Sequence, residues 1–164
     1  MNEPDVTADI EAIKQLKARY FRCMDTKDWA GYLDVFTTDA IVDSSEAYTP
    51  MDLSGKPIPM DGIEPPAPNP AWRSTDIVAF VAELRETLAE VATVHHGHMP
   101  EITITSPSTA TGIWSMEDML YWPRGSQIQA MHGFGHYRET YERTDKGWRI
   151  KTLKLTRLRV NVTH

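Results

Sequence analysis

The sequence predicts an α+β protein in which N-terminal helices lie against a curved, mainly antiparallel sheet. Apolar residues recur at helical spacing in the first half of the chain, whereas after residue 93 they alternate with polar residues as in β-strands. Three turn signals, SPS at 106–108, PRGS at 123–126 and DKG at 145–147, divide the second half into four strands. A sheet wrapped around the helices would bury both apolar sets and leave a concave interior suited to a ligand.

Three helices are predicted from apolar spacing and capping residues. The first runs from about Thr7 to Asp25, and a shorter second helix runs from Lys27 to about Phe36. A strand with the sequence TTDAIVDSS follows. Ser74 or Thr75 is expected to cap the third helix, which the apolar spacing extends to about residue 91.

The stretch from Tyr48 to Trp72 contains seven prolines, which exclude a regular helix or a central strand. We expect a loop that covers or flanks the mouth of the cavity, and not a second domain, so residues 1–164 are predicted to form one domain. The four strands are predicted at 94–105, 109–121, 127–143 and 147–160. A bulge near Lys151–Thr152 would reconcile the opposite parities of apolar residues in the last strand.

Composition restricts the classes of partner. The net charge of -6 and the lack of a basic run argue against nucleic acid, and no apolar run reaches the roughly 20 residues of a membrane span. The N-terminal sequence MNEPDVTADIEA does not resemble a secretory signal, so we expect a cytoplasmic protein. Cys23 is the only cysteine, which excludes an internal disulfide and a cysteine-cluster metal site.

The segment TVHHGHMPEITI contains three of the six histidines. On a strand His96 and His98 share one face and His95 lies on the other. Pro100 disturbs the downstream pattern, so the residues alone leave open whether His95 or His96 faces inward. The inward histidine is a candidate general acid or base, and a structural histidine bonded to backbone is the alternative.

A metal site is the other alternative for these histidines. His132, His136 and Asp118 could supply further ligands, but the sequence has no spacing typical of a zinc or iron site. We therefore predict no metal and expect the inward imidazole to be oriented by Asp118.

Two charged residues lie in phase with apolar neighbours on their strands. Asp118 shares a face with Trp114 and Met116, where an ionised carboxylate is costly unless it is paired. It should therefore meet a cation or a donor, unless the strand has already ended there. Arg157 alternates with two leucines and could pair with a carboxylate or an anionic substrate group, or lay its stem along the sheet surface.

Tyr20 and Asp25 are the polar residues nearest the apolar stripe of the first helix. Their spacing of five residues separates them by about 140° around the helix axis. They can reach one cavity only if the helix ends at Asp25, and the following sequence DTKDW suits such a break.

The phrases YFRCMDTKDWAGYLDVFTTDA, TVHHGHMPEITITSPSTATGIW, HGFGHYRETYERTDKGWRI and LTRLR together resemble a SnoaL-like domain of the nuclear-transport-factor-2-like superfamily. The resemblance covers nearly the whole chain except the proline-rich loop, and implies a cone-shaped α+β barrel. Within the superfamily it is similar to the relatives of bile-acid 7α-dehydratase and, more distantly, of scytalone dehydratase. Those enzymes eliminate water without a cofactor, using a pocket Tyr, a His and an Asp.

The resemblance implies a lyase (dehydratase) or isomerase that acts without a cofactor on a polycyclic or steroid-like hydroxy-ketone. A binding protein for such a ligand is the alternative. The implied catalytic residues are Tyr20, Asp25, His95 and Asp118, with His96 as the alternative histidine. The expected substrate-binding residues are His96, Trp114, Met116, His132 and Arg157.

The resemblance also implies a homodimer or homotrimer. We expect association through the outer face of the sheet around Tyr137, Tyr141 and Trp148. The pocket differs from that of scytalone dehydratase, which offers Ser and Asn where this chain has His132, His136 and glycines on the comparable strand.

Overall fold

The computed structural model describes residues 6–164, in which an N-terminal helical segment leads into a long-stranded sheet. The helices are α1 (Val6–Asp25), α2 (Trp29–Leu33) and α3 (Ile77–Thr87), and a 3-10 turn covers Pro70–Trp72. The strands are β1 (Phe36–Asp43), β2 (Arg73–Ser74), β3 (Ala92–Ser106), β4 (Thr109–Tyr121), β5 (Ala130–Thr144) and β6 (Gly147–Thr163). The predicted helices and strands are therefore present, and the short edge strand β2 is an addition.

Within residues 6–164 the strands form one curved sheet in the order β2-β1-β6-β5-β4-β3. β1 runs parallel to β6, and the other neighbouring pairs are antiparallel. The edge strands β2 and β3 do not pair with each other, so the sheet curves without closing. The predicted α+β class and the four-stranded antiparallel meander are confirmed.

The core lies between α1 and the concave face of the sheet. Ile13, Leu16 and Tyr20 from one side of α1 are buried there, together with Ile150 and Leu153 of β6. α1 contacts β3 and β6, whereas α3 packs beside β1 and α2. No helix in the described part of the chain is both long and apolar enough to cross a membrane.

Two bulges in β6 decide which of its side chains point inward. Thr152 pairs with Thr140 and Ile150 with Tyr141, which leaves Lys151 as an extra residue and confirms the bulge predicted there. A second bulge opposite Gly135 leaves Leu158 unpaired. Each bulge reverses the alternation, so Ile150, Leu155 and Val160 are all buried although their parities differ.

The N-terminus of α3 differs from the prediction. Asp76, and not Ser74 or Thr75, is the N-cap, and its Oδ1 accepts hydrogen bonds of 3.0 Å from the backbone N–H groups of Val78 and Ala79. The Ser74 hydroxyl instead accepts from the Asp76 N–H at 3.2 Å. The helix therefore begins one residue later than a Thr75 cap would place it, and two residues later than a Ser74 cap would.

Replacing Asp76 with alanine should lower the free energy of unfolding by about 1 kcal/mol, because two N–H groups lose their acceptor. Urea unfolding followed by circular dichroism measures this difference. Thr75→Ala is the matched control, since its exposed side chain should not contribute a cap. Equal unfolding midpoints for the two variants would contradict the assignment of the cap.

Candidate active site

A cavity of about 270 Å³ lies between the concave face of the sheet, the C-terminal half of α1 and α3. Its volume is near the lower end of the range for small-molecule sites. Most of its wall is apolar, formed by Met24, Val42, Leu84, Leu120, Met131 and Leu155 among others. The polar groups on the wall are therefore few, and their partners decide what the cavity can do.

His95 lies near the start of β3, where its side chain faces the cavity and approaches the C-terminal end of α1. Its ring Nδ1 is 2.6 Å from Asp25 Oδ1, and its backbone N–H donates to Asp25 Oδ2 at 2.8 Å. The Thr93 hydroxyl donates to Asp25 Oδ1 at 2.9 Å. With Nδ1 engaged by the carboxylate, Nε2 is the ring nitrogen left to act on a ligand.

The chain can place Asp25 here because α1 ends at that residue. Lys27 takes a φ of 60°, and this turn directs the chain away from the helix axis into α2. Its ammonium group donates to Thr93 Oγ1 at 3.1 Å, which ties the turn to β3. The break expected at DTKDW is thus present.

Asp25 is held as a carboxylate by its surroundings. Burial works to raise the pKa of Asp25, but hydrogen bonds from the His95 ring, the His95 backbone and Thr93 outweigh it. The net pKa of Asp25 lies below its ordinary value. The group beside His95 is therefore an anion throughout the neutral range.

The predicted pairing of the histidine with Asp118 is wrong. Asp118 instead accepts two parallel hydrogen bonds from Arg157, at 2.9 Å from Nη1 and 2.8 Å from Nη2. Arg157 Nε also donates to the backbone oxygen of Ala47 at 2.8 Å. Both side chains are buried, with 2% of the Arg157 side chain and 5% of the Asp118 side chain exposed. Of the alternatives left open by the sequence, the structure shows Asp118 paired with a cation and Arg157 paired with a carboxylate.

Gly133 makes room for this ion pair. It lies opposite Asp118 on β5, and a Cβ atom built on it would be 2.4 Å from both Arg157 Nη1 and Asp118 Oδ1. Any side chain at this position would have to displace one of the paired groups. The buried pair therefore requires a glycine at position 133.

Gly133→Ala should lower the free energy of unfolding by about 1–3 kcal/mol, the usual cost of overpacking a buried site. The adjacent His132→Ala is the control, because the His132 side chain lies on the outer face of the sheet. Thermal unfolding of both variants gives the comparison. A Gly133→Ala protein as stable as the control would mean that the Arg157–Asp118 pair can shift without loss of stability.

Three tyrosines form one part of the cavity wall. The ring of Tyr20 packs against those of Tyr32 and Tyr137, with ring centroids 5.1 Å and 5.7 Å apart, and all three residues line the cavity. Burial raises the pKa of each of the three well above its ordinary value. The cluster therefore offers neutral hydroxyl donors at any physiological pH.

Sequence reasoning found only one of these tyrosines as a site residue. Tyr32, on α2, was not among the predicted site residues. Tyr137 was expected on the outer surface with Tyr141 and Trp148, and this is wrong because all three are buried. The alternation on β5 was the available signal, since Tyr137 and Tyr141 share the parity of Met131 and the inward glycines.

The other predicted binding residues lie elsewhere. His96 and His132 are on the outer face, where they approach Glu117 at 3.5 Å and 2.9 Å, so the expectation that they bind substrate is not supported by their positions. Trp114 and Met116 are buried on the inward side of β4 but outside the cavity lining. Trp114 Nε1 donates to the Tyr141 hydroxyl at 2.8 Å, as a core residue would.

The proline-rich segment flanks the cavity with its two ends. Tyr48 and Trp72 lie 5.6 Å apart between ring centroids, and both line the cavity. Between them the loop is held by short bridges such as Met51–Pro57, while Leu53 at its tip is fully exposed. The two ends of the segment thus form part of the cavity wall, and its action as a lid stays a prediction.

Within residues 6–164, no three or more His, Cys, Asp or Glu side chains are grouped in a way that could hold a metal ion. Two polar residues of the cavity wall, His95 and Arg157, are instead each paired with a carboxylate. The arrangement suits proton transfer and hydrogen bonding to a ligand.

Residues 5–154 match the model of the SnoaL-like domain family. The chain belongs to this family. The resemblance inferred from the sequence is therefore confirmed, and it extends across the helices, most of the sheet and the proline-rich segment.

Solved structures similar to this SnoaL-like chain share its fold at low sequence identity. A protein from Kribbella flavida is 23% identical with a TM-score of 0.74, over 96% of this chain and 95% of its own. A putative scytalone dehydratase from Novosphingobium aromaticivorans is 16% identical with a TM-score of 0.74, over 96% and 89%. A hexachlorocyclohexane dehydrochlorinase from Novosphingobium barchaimii is 14% identical with a TM-score of 0.68, over 96% and 91%.

Proposed function

We propose that this protein is a cofactor-independent lyase or isomerase that removes a proton next to the carbonyl group of a neutral, hydrophobic hydroxy-ketone. The observation that carries the proposal is the His95–Asp25 pair in the wall of an apolar cavity. A carboxylate on Nδ1 favours the tautomer in which Nε2 is unprotonated and can accept a proton. The same carboxylate stabilises the imidazolium that forms when it does.

The tyrosine cluster supplies the complementary acid. When His95 takes the proton, the electrons of the C–H bond move toward the carbonyl, and its oxygen gains negative charge. The hydroxyl of Tyr20, whose ring is held between those of Tyr32 and Tyr137, can donate to that oxygen. In a dehydration the enolate then expels the hydroxyl group of the β-carbon. The imidazolium of His95 gives its proton to this group, which leaves as water. In an isomerisation the proton returns to a different carbon.

The charges of the site favour a neutral substrate. Arg157 and Asp118 neutralise each other, so neither is free to bind an ionised group. Four N–H groups of Arg157 already have acceptors, in Asp118, the Ala47 oxygen and, at 3.6 Å, Met116 Sδ, which leaves one N–H group to donate to a ligand oxygen. In this proposal Asp118 holds Arg157 in place and takes no proton. Within the class of polycyclic or steroid-like hydroxy-ketones, the cavity volume favours the more compact members.

The elimination reactions named for two similar structures, a dehydratase and a dehydrochlorinase, agree with this proposal. The alternative is a protein of the same fold that binds such a ligand without reaction. The two differ in one measurable property, since only the enzyme exchanges a proton of the bound ketone.

Deuterium exchange tests the proposal without knowledge of the natural substrate. The protein is incubated in D₂O with a panel of neutral cyclic ketones and hydroxy-ketones, and mass spectrometry detects deuterium at the α-carbon, loss of water or an isomer. We expect exchange with one or more of the compounds, and we expect it to depend on His95. Binding of the panel, measured by calorimetry, without any exchange would favour the binding protein.

A further inference from the structure

Lys17 is a buried charge that the proposed reaction does not use. It lies on α1, its side chain is 0% exposed, and its ammonium group forms an ion pair with Glu139 of β5. It does not line the cavity. A lysine taken out of water is costly, so its retention calls for a physical explanation.

The ammonium group of Lys17 is placed between two of the cavity tyrosines. Nζ is 3.7 Å from the ring centroid of Tyr20 and 3.7 Å from that of Tyr137. The Phe21 ring lies 4.8 Å away on the same helix. The cation thus contacts the faces of both rings, and both tyrosines line the cavity although Lys17 does not.

Both carboxylate oxygens of Glu139 have a partner. Its Oε1 binds Lys17, and its Oε2 accepts a hydrogen bond from the Tyr141 hydroxyl. That hydroxyl in turn accepts from Trp114 Nε1 at 2.8 Å. The groups that face the lysine are therefore Glu139 and Tyr137 on β5 and Tyr20 and Phe21 on α1. Among the residues named, the carboxylate is the direct ionic partner of the ammonium group.

We propose that Lys17 is a positioning residue of the site, which fixes the rings of Tyr20 and Tyr137 and strengthens their hydroxyl groups as donors toward the cavity. A cation on the face of an aromatic ring is attracted by the ring electrons and resists rotation of the ring. It also stabilises negative charge on the phenol oxygen, which grows when the hydroxyl donates to an oxyanion. The role in the reaction rests on the proposed function, whereas the effect on the tyrosines does not.

The charge of Lys17 can be removed by pH alone. Burial lowers the pKa of Lys17 from 10.5 to about 8, although the adjacent Glu139 works in the opposite direction. The tyrosines keep their protons over this range because burial raises the pKa of each. A change in the tyrosines near pH 8 would therefore report the loss of the lysine charge.

Nuclear magnetic resonance tests this coupling in the full-length protein without a ligand. Lysine labelled with ¹³C at Cε and tyrosine labelled at Cζ are followed from neutral to alkaline pH, with Tyr20→Phe and Tyr137→Phe used to assign the tyrosine signals. We expect one lysine to titrate near pH 8, and the Tyr20 and Tyr137 signals to shift with the same midpoint. Tyrosine signals that stay constant while the lysine titrates, or no lysine that titrates below pH 10, would overturn the proposal.

The variant Lys17→Met/Glu139→Gln removes both charges together, because removal of one alone would leave a buried unpaired ion. We expect it to lose the shared titration. Lys14→Met, at a position on the same helix that is 47% exposed, should keep it. If the double variant does not fold, the titration of the unaltered protein still decides whether the tyrosine signals follow the charge of Lys17.

A kinetic comparison addresses the reaction, using a ketone found by deuterium exchange. Lys17→Met/Glu139→Gln should lower kcat by about tenfold, less than the 10²–10³-fold cost of losing an oxyanion donor outright, with a smaller change in KM. The pH dependence of kcat near pH 8 should disappear in this variant and remain in Lys14→Met. An unaltered kcat and pH profile would overturn the kinetic role. Absence of any exchanging ketone would instead count against the proposed function, and the NMR result would stand by itself.

Discussion

His95→Gln is expected to lower the rate of proton exchange at the α-carbon by about 10²–10⁴-fold, the usual contribution of a general base. The neighbouring His96→Gln should leave the rate nearly unchanged. His96 is the matched control because it is adjacent in sequence, of the same type, and directed to the outer face of the sheet with 53% of its side chain exposed. Rates are measured by mass spectrometry in D₂O, with circular dichroism to verify the fold.

Asp25→Asn should act on the same step, because an amide cannot stabilise the imidazolium and can favour the wrong tautomer of His95. The effects of the two substitutions should therefore be far from additive in the double variant. A His95→Gln protein that retains full activity would contradict the mechanism, whatever the effect of Asp25→Asn.

Acidification should remove the interaction between the Asp25 carboxylate and His95. Because the pKa of Asp25 is lower in the folded protein than its ordinary value of 3.8, its contribution to stability is present above that value. The contribution is lost as the pH falls through the lowered pKa. Asp25→Asn should therefore reduce the loss of stability between about pH 5 and the acid limit of folding. Urea unfolding at a series of pH values measures this difference.

Arg157→Met is expected to lower the free energy of unfolding by about 3–5 kcal/mol, because it leaves the Asp118 carboxylate buried without its partner. Asp118→Leu/Arg157→Met should recover much of that loss, since an apolar pair of similar volume leaves no buried charge. Urea unfolding of the single and double variants gives the coupling between the two residues.

Arg159→Met is the control for this experiment. Arg159 lies two residues along the same strand and pairs with Asp61 at 2.7 Å, but its side chain is 46% exposed. Its loss should cost less than about 1 kcal/mol, as for most surface ion pairs. Similar losses of stability in Arg157→Met and Arg159→Met would show that burial does not govern the strength of the pair.

The elements of the fold could be predicted because each depends on a local pattern. Helical spacing predicted α1 to within one residue at its start, and turn residues divided the meander correctly. The cap of α3 was misplaced because Ser, Thr and Asp occur in succession at 74–76, and all three can cap a helix. The short strand β2 escaped prediction because two residues carry no periodicity.

Parts of the candidate site followed from the same patterns. The alternation on β4 and β6 predicted that Asp118 and Arg157 point inward and need partners, and they are paired with each other. The end of α1 at Asp25 was also expected. The face of His95 was left open because the bulge in β3 between Gly97 and Pro100 hides the parity of the segment from the sequence.

The sequence by itself determined the α+β class, the order of the elements and the resemblance to SnoaL-like domains, and it made Asp118 and Arg157 candidates for inward, paired side chains. Only the tertiary structure decided that His95 pairs with Asp25 of α1, and that Tyr137 joins the cavity wall. The physical reason is that alternation records which side chains share a face of one strand. It does not record which face is concave, or which residue of a distant helix the curvature of the sheet brings to that face.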